Sequence, residues 1–112
     1  LVDGGKETTA SYVTNTNPIP AEKPQIGAAT ALAGEMLGMK LIYLDAGSGA
    51  IKPISKEFIA AVRNEVALPI IVGGGIKTIQ NIERAFSAGA NLVVIGTAIE
   101  NDADFLNTIK HL

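Results

Sequence analysis

Tyr43 and Asp45 stand two residues apart at the end of the apolar run Leu41-Ile42-Tyr43-Leu44, and Ala46-Gly47-Ser48-Gly49 follows at once. Residues i and i+2 of a strand project to the same face, so a strand here presents a phenol and a carboxylate side by side. Glycines just beyond a strand let backbone N–H groups approach an anion. A small phosphorylated alcohol needs both parts: a carboxylate to hold a hydroxyl or accept its proton, and a cradle for the phosphate. The competing reading is a core tyrosine beside a turn-forming aspartate.

Two further strand ends carry the same signature. Val72-Gly73-Gly74-Gly75-Ile76-Lys77-Thr78 places three glycines between an apolar run and a residue suited to cap a helix. Consecutive N–H groups near a positive helix terminus favour a phosphate. The spacing matches neither the Walker loop nor the dinucleotide fingerprint. Ile95-Gly96-Thr97-Ala98-Ile99-Glu100 is weak alone, but it follows the triple glycine after one helical pattern. Barrels often build a phosphate site from the loops after their last two strands. Lys77 reads as a solvated first-turn lysine rather than a phosphate contact. His111 reads as a surface residue, Asn15 and Asn17 as turn formers, and Glu35 and Glu100 as helix surface and loop edge. No His, Asp or Glu cluster has metal-ligand spacing.

These strand ends need a scaffold. Leu41–Leu44, Pro69–Val72 and Leu92–Ile95 read as buried parallel strands. Ser55 caps a helix with Phe58, Ile59, Val62 and Val66 inward. Thr78 caps the next, with Ile79, Ile82, Ala85 and Phe86 inward and Gly89 as its stop. Asp102 opens the last, with Phe105, Leu106, Ile109 and Leu112 on its apolar side. Pro24 to Leu37 reads as a helix with Ile26, Ala29, Ala33, Met36 and Leu37 on one stripe, ended by Gly38. Val2–Gly5 resembles a strand end and turn, and Ser11–Thr14 a short extended segment before the Pro18/Pro20 loop.

This alternation predicts an α/β fold with a parallel sheet and right-handed crossovers. About four βα units are too few for a closed (β/α)8 barrel, which takes about 250 residues. The expectation is therefore the C-terminal half of such a TIM barrel, strands 5–8 with their helices. A second copy that closes the barrel is the other solution.

Composition narrows the classes. The 112 residues are 47% hydrophobic and 18% charged, which is globular. Nine basic and eleven acidic residues give a net charge of −2 without a basic block, which argues against nucleic acid. Cysteine is absent, which removes disulfides and thiolate chemistry and suits a reducing, cytoplasmic interior. No apolar run approaches the roughly 20 residues of a membrane span. The start at Leu1-Val2-Asp3 looks like a strand entered midway, as in a fragment or trimmed product.

Together the motifs resemble one family. Tyr-Leu-Asp-Ala-Gly-Ser-Gly, Val-Gly-Gly-Gly-Ile and Gly-Thr-Ala-Ile-Glu are similar to those of the geranylgeranylglyceryl phosphate synthases and their heptaprenyl relatives. Asn17-Pro18-Ile19-Pro20 and Ala33-Gly34-Glu35-Met36-Leu37-Gly38-Met39-Lys40 fit the same pattern. The resemblance spans nearly the whole chain but only the C-terminal half of a family member. It implies a TIM barrel that joins a polyprenyl diphosphate to the 3-hydroxyl of sn-glycerol 1-phosphate. On that resemblance, Tyr43, Leu44, Asp45, Ala46, Gly47, Ser48 and Gly49 line the glycerol phosphate. Gly74 and Gly75, with Gly96 and Thr97, bind its phosphate, and Asp45 orients or deprotonates the hydroxyl. The family commonly has glutamate at that position, so aspartate is a departure with a shorter reach.

The resemblance also implies Mg²⁺ on a first-strand aspartate outside this chain, and hence an isolated chain without activity. Homo-oligomer formation and peripheral membrane contact belong to the same expectation. The alternatives are another phosphate-binding barrel isomerase or synthase, and a non-catalytic half-barrel.

Overall fold

The computed structural model describes residues 1–112. Its strands are β1 (Ile42–Asp45), β2 (Ile70–Gly73) and β3 (Leu92–Val94). They pair in parallel in the order β1-β2-β3. The helices are α1 (Thr9–Thr14), α2 (Pro24–Met36), α3 (Lys56–Glu65), α4 (Ile79–Ala88), α5 (Thr97–Asn101) and α6 (Phe105–Ile109). The expected α/β alternation is present. The first strand end is reduced to Val2, which bridges Ile19 and donates its N–H to the Asp45 carbonyl at 2.8 Å. Val2 thus continues the sheet beyond β1 without a full strand.

Strand register separates two faces. Ile42 pairs with Ile70, and Leu44 with Val72, which pairs in turn with Val93. Those residues pack on the helices. On the other face, Tyr43, Ile71 and Leu92 form one row, and Asp45, Gly73 and Val94 form a second. No helix covers this face: Tyr43 is 46% exposed, and Leu92 and Val94 are exposed as well.

The helices on the covered face follow their sequence signals closely. Ser55 Oγ accepts from the Phe58 N–H, and Phe58, Ile59, Val62 and Val66 are all buried. Thr78 Oγ1 accepts from the Asn81 N–H at 3.1 Å. Gly89 stops α4 in the left-handed region at φ 118°. At the opposite ends of the strands, the Arg63 guanidinium donates to the Val66 and Leu68 carbonyls and to Asn91 Oδ1, which also accepts from the Ile70 N–H. That clamp ties the end of α3 to the start of β2 and β3.

Five expectations need correction, the first being the burial of Leu92–Ile95: β3 covers only Leu92–Val94, and Leu92 and Val94 are exposed on the uncovered face. Ser11–Thr14 is not extended but lies in α1, because Thr8 and Ser11 form a reciprocal capping box that nucleates the turn. In α2 the buried residues are Gly27, Ala28 and Ala31, whereas Met36 is 80% and Leu37 79% exposed. The apolar stripe faces outward because α2 approaches α3 through its smallest residues. Phe86 is exposed, since Ile82 and Ala85 already fill the α4 contact. Finally, the chain after Val94 coils into α5, and the last helix opens after Asp104 rather than at Asp102, whose carboxylate instead accepts from the Asp104 N–H.

Gly27 is the tightest point of the α2–α3 contact. A Cβ there would collide with Cε1 and Cζ of Phe58, which is fully buried. We predict that Gly27→Ala costs about 2 kcal/mol, since overpacking typically costs 1–3 kcal/mol and exceeds the helix-propensity gain. A urea titration should show a lowered midpoint; an unchanged midpoint would mean that the two helices separate freely.

Candidate functional site

The ends of β1, β2 and β3 meet around a cavity of about 210 Å³. Tyr43, Asp45, Ser48 and Gly49 line it from β1 and its loop. Gly74, Gly75, Ile76 and Lys77 line it from the β2 loop, and Val94, Gly96 and Thr97 from the β3 end. Of the eleven residues singled out in the sequence, eight therefore converge: Tyr43, Asp45, Ser48, Gly49, Gly74, Gly75, Gly96 and Thr97. Leu44, Ala46 and Gly47 do not line the cavity and are buried behind it.

Close backbone approach creates the cavity. Gly74 adopts φ +86°, and a Cβ on it would stand 2.8 Å from the backbone N and O of Gly47. Only a residue without a side chain lets the β2 loop lie directly on the β1 loop. Gly75 meets the Lys52–Pro53 peptide in the same manner. Gly73, in the strand itself, leaves room for the Tyr43 hydroxyl, which a Cβ would meet at 2.5 Å. Gly47 is in turn covered by the Thr8 side chain.

The backbone N–H groups of Ser48, Gly49, Gly74, Gly75 and Gly96 donate to no acceptor in the protein. Five unpaired donors around one small cavity are a surface suited to an anion, for phosphate oxygens accept several such bonds. The Lys77 N–H, by contrast, is taken by Asn81 Oδ1. Lys77 is exposed, as the solvated reading expects, and the residue also borders the cavity. Its place two residues after the triple glycine and just before a helix is the signal for that position. Ile76 and Val94 were not singled out as site residues, because an apolar residue in a loop or strand carries no chemical mark.

Asp45 combines both readings offered for it. Its Oδ1 accepts from the Gly47 N–H at 2.7 Å, which fixes the turn. Its Oδ2 has no protein partner and is not sealed from solvent, so it remains available in the cavity. Burial and the adjacent Asp45 carboxylate both push the Tyr43 phenol above its usual value. Tyr43 therefore stays a neutral phenol across the physiological range, able to donate or accept a hydrogen bond but not to act as a phenolate.

The remaining candidates lie apart. His111 is exposed near the end of the chain, and Asn15 and Asn17 border a separate cleft. Glu35 is not plain helix surface: its Oε2 accepts from the Ala67 N–H at 2.9 Å and ties α2 to the loop before β2. No group of three or more His, Cys, Asp or Glu side chains converges as a metal site. The residues present do not compose a Mg²⁺ centre. No helix is long and apolar enough to cross a membrane.

Comparison with known proteins agrees with this geometry. The geranylgeranylglyceryl phosphate synthase of Spirosoma linguale is 54% identical over 106 residues, covering 95% of this chain and 43% of that protein. The corresponding synthase of Thermococcus gammatolerans is 53% identical over 104 residues, covering 93% and 41%. The chain thus spans about two fifths of the length of the curated relatives it matches. Among solved structures, it is similar to the (S)-3-O-geranylgeranylglyceryl phosphate synthase of Thermoplasma acidophilum in complex with its substrate sn-glycerol-1-phosphate. The TM-score is 0.84 at 30% identity, over 93% of this chain and 45% of that one. The wild-type GGGPS of Thermoplasma volcanium gives 0.81 at 34% identity, over 88% and 40%. The sheet and its helices therefore form part of a TIM barrel, with Tyr43 and Asp45 on the inner face. The PcrB family profile matches residues 2–112, so the three glycine-bearing strand ends sit in a family framework, and the chain belongs to the PcrB family.

Proposed function

We propose that the whole protein carrying this chain is a prenyltransferase, and that this chain supplies its sn-glycerol 1-phosphate site. The observation that carries the proposal is the convergence of five unpaired N–H donors with the free oxygen of Asp45 in one 210 Å³ cavity. That volume is below the roughly 300 Å³ of pockets for drug-sized ligands, and it suits a three-carbon phosphate rather than a prenyl chain. The glycerol phosphate in the Thermoplasma acidophilum structure supports the same reading.

In this reading, Gly74 and Gly75 with Gly96 and Thr97 hold the phosphate through backbone N–H groups. Tyr43, with the Leu44–Gly49 segment that shapes the turn, surrounds the glycerol. Asp45 Oδ2 orients the 3-hydroxyl and takes its proton as the oxygen bonds to the first carbon of the prenyl diphosphate. The bond from that carbon to the diphosphate oxygen breaks, and diphosphate leaves. Mg²⁺, where bound, offsets charge on the diphosphate, and its ligands lie outside this chain's own residues. The four strand ends, Val2 included, correspond to strands 5–8 of the barrel. Homo-oligomer formation, a cytoplasmic setting and peripheral membrane contact for the prenyl chain complete the proposal.

Asp45→Asn separates the two roles of this residue, because the amide oxygen can still accept from the Gly47 N–H while the base is lost. In the whole protein it should cut prenyl transfer by roughly 10²–10⁴-fold, the usual range for general base catalysis. Asp45→Glu, which lengthens the reach by one methylene, should retain transfer. Unchanged turnover in Asp45→Asn would remove the catalytic assignment.

Gly74→Ala tests the cradle. A side chain at φ +86° against the Gly47 backbone must displace one loop. We expect the Kd for sn-glycerol 1-phosphate to rise at least about tenfold by calorimetry, the equivalent of one charge-assisted hydrogen bond. An unchanged Kd would place the phosphate elsewhere.

A further inference from the structure

Lys6 has no part in the site described so far, and neither its sequence context nor the cavity lining singles it out. Its position is nonetheless tightly prescribed. The Gly4 carbonyl accepts from the Ile51 and Lys52 N–H groups at 2.9 and 3.0 Å. A Cβ on Gly4 would meet Ala50 at 2.6 Å and the Ala46 carbonyl at 2.7 Å. The turn before Lys6 is therefore seated on the loop that follows β1.

From that seat the lysine side chain crosses Gly49. A Cβ on Gly49 would lie 3.4 Å from Lys6 Nζ and 3.9 Å from its Cε. Gly49 lines the small cavity and carries one of its unpaired N–H groups. Lys6 itself lines the adjoining cleft of about 600 Å³, which it shares with Asp3 and Glu7. Neither carboxylate pairs with it: the one ion pair in the structure joins Lys56 and Glu57. The Lys6 ammonium is thus an unpaired cation on the wall between the two spaces.

Resting on the glycerol phosphate reading above, we infer that Lys6 is a substrate-binding residue, a cation that meets the phosphorylated alcohol across Gly49. Lys6 Nζ stands 3.4 Å from where a Cβ on Gly49 would lie, and Gly49 borders the cavity, so the ammonium is well within the roughly 8 Å Debye length of that wall. An anion held against Gly49 therefore feels Lys6 with only partial screening. The charges facing the cavity are Asp45 and Lys77. They offset one another, so a phosphate dianion would otherwise meet no net positive charge. Lys6 supplies it from beside Gly49, within ordinary contact distance of that residue.

The test uses the whole protein. Lys6→Met keeps the length and apolar stem and removes the charge, whereas Lys6→Arg keeps the charge. Lys6→Met should raise the Kd for sn-glycerol 1-phosphate about three- to tenfold and flatten its dependence on salt, as loss of a partly screened ion pair predicts. Lys6→Arg should restore both the affinity and the salt slope. The KM for the prenyl diphosphate should not follow. Equal losses in Lys6→Met and Lys6→Arg, an unaltered Kd and salt slope, or an effect confined to the prenyl diphosphate would each overturn the inference. Failure of the unchanged protein to bind sn-glycerol 1-phosphate would overturn the functional reading itself, and this inference with it.

Discussion

The contact between the Gly74 and Gly47 backbones is the constraint on which the site depends. Strands in a parallel sheet lie about 4.8 Å apart, and loops leaving neighbouring strands ordinarily keep side chains between them. Here the loops after β1 and β2 touch main chain to main chain. Gly4 docks on the same β1 loop from the other side, and Gly75 rests on the Lys52–Pro53 peptide. Stripped of side chains, these turns bring their own polar groups to bear on one volume. In the proposed reading, affinity for an anion would be a by-product of how the loops pack, without a dedicated charged side chain at its centre.

The packed face explains how such turns hold their shape. Phe58, Ile59, Val62, Ile70 and Val72 are buried to near completion, and Arg63 and Asn91 lock the opposite ends of the strands. Stability is concentrated beneath and below the sheet. The strand tips are then free to carry unsatisfied N–H groups, which elsewhere in a protein would be a cost. Asp45 joins the two regimes, since one carboxylate oxygen braces the turn while the other faces the cavity.

Much of this was legible in the chain because the signals are local. A cap such as Ser55 or Thr78, a stop such as Gly89 and the two-residue spacing of Tyr43 and Asp45 each act within a few residues. Misreadings arose where distant partners decide. The apolar stripe of α2 pointed to the wrong face, because only the arrival of Phe58 makes Gly27 the contact residue. The capping box of Thr8 and Ser11 was a local signal that went unread. Lys6 could not have been noticed from sequence, for its neighbour Gly49 is 43 positions away in the chain.

The second inner row of the sheet, Asp45–Gly73–Val94, has a gap in its middle. Barrel interiors are ordinarily filled by bulky side chains, layer upon layer. A glycine at the central strand leaves one such position vacant, and the Tyr43 hydroxyl leans into part of the vacancy. In the glycerol phosphate reading proposed above, selectivity for a small polar molecule is then written as missing volume. Divergence toward a different substrate would begin with the size of the residue at position 73, before any acid or base is exchanged.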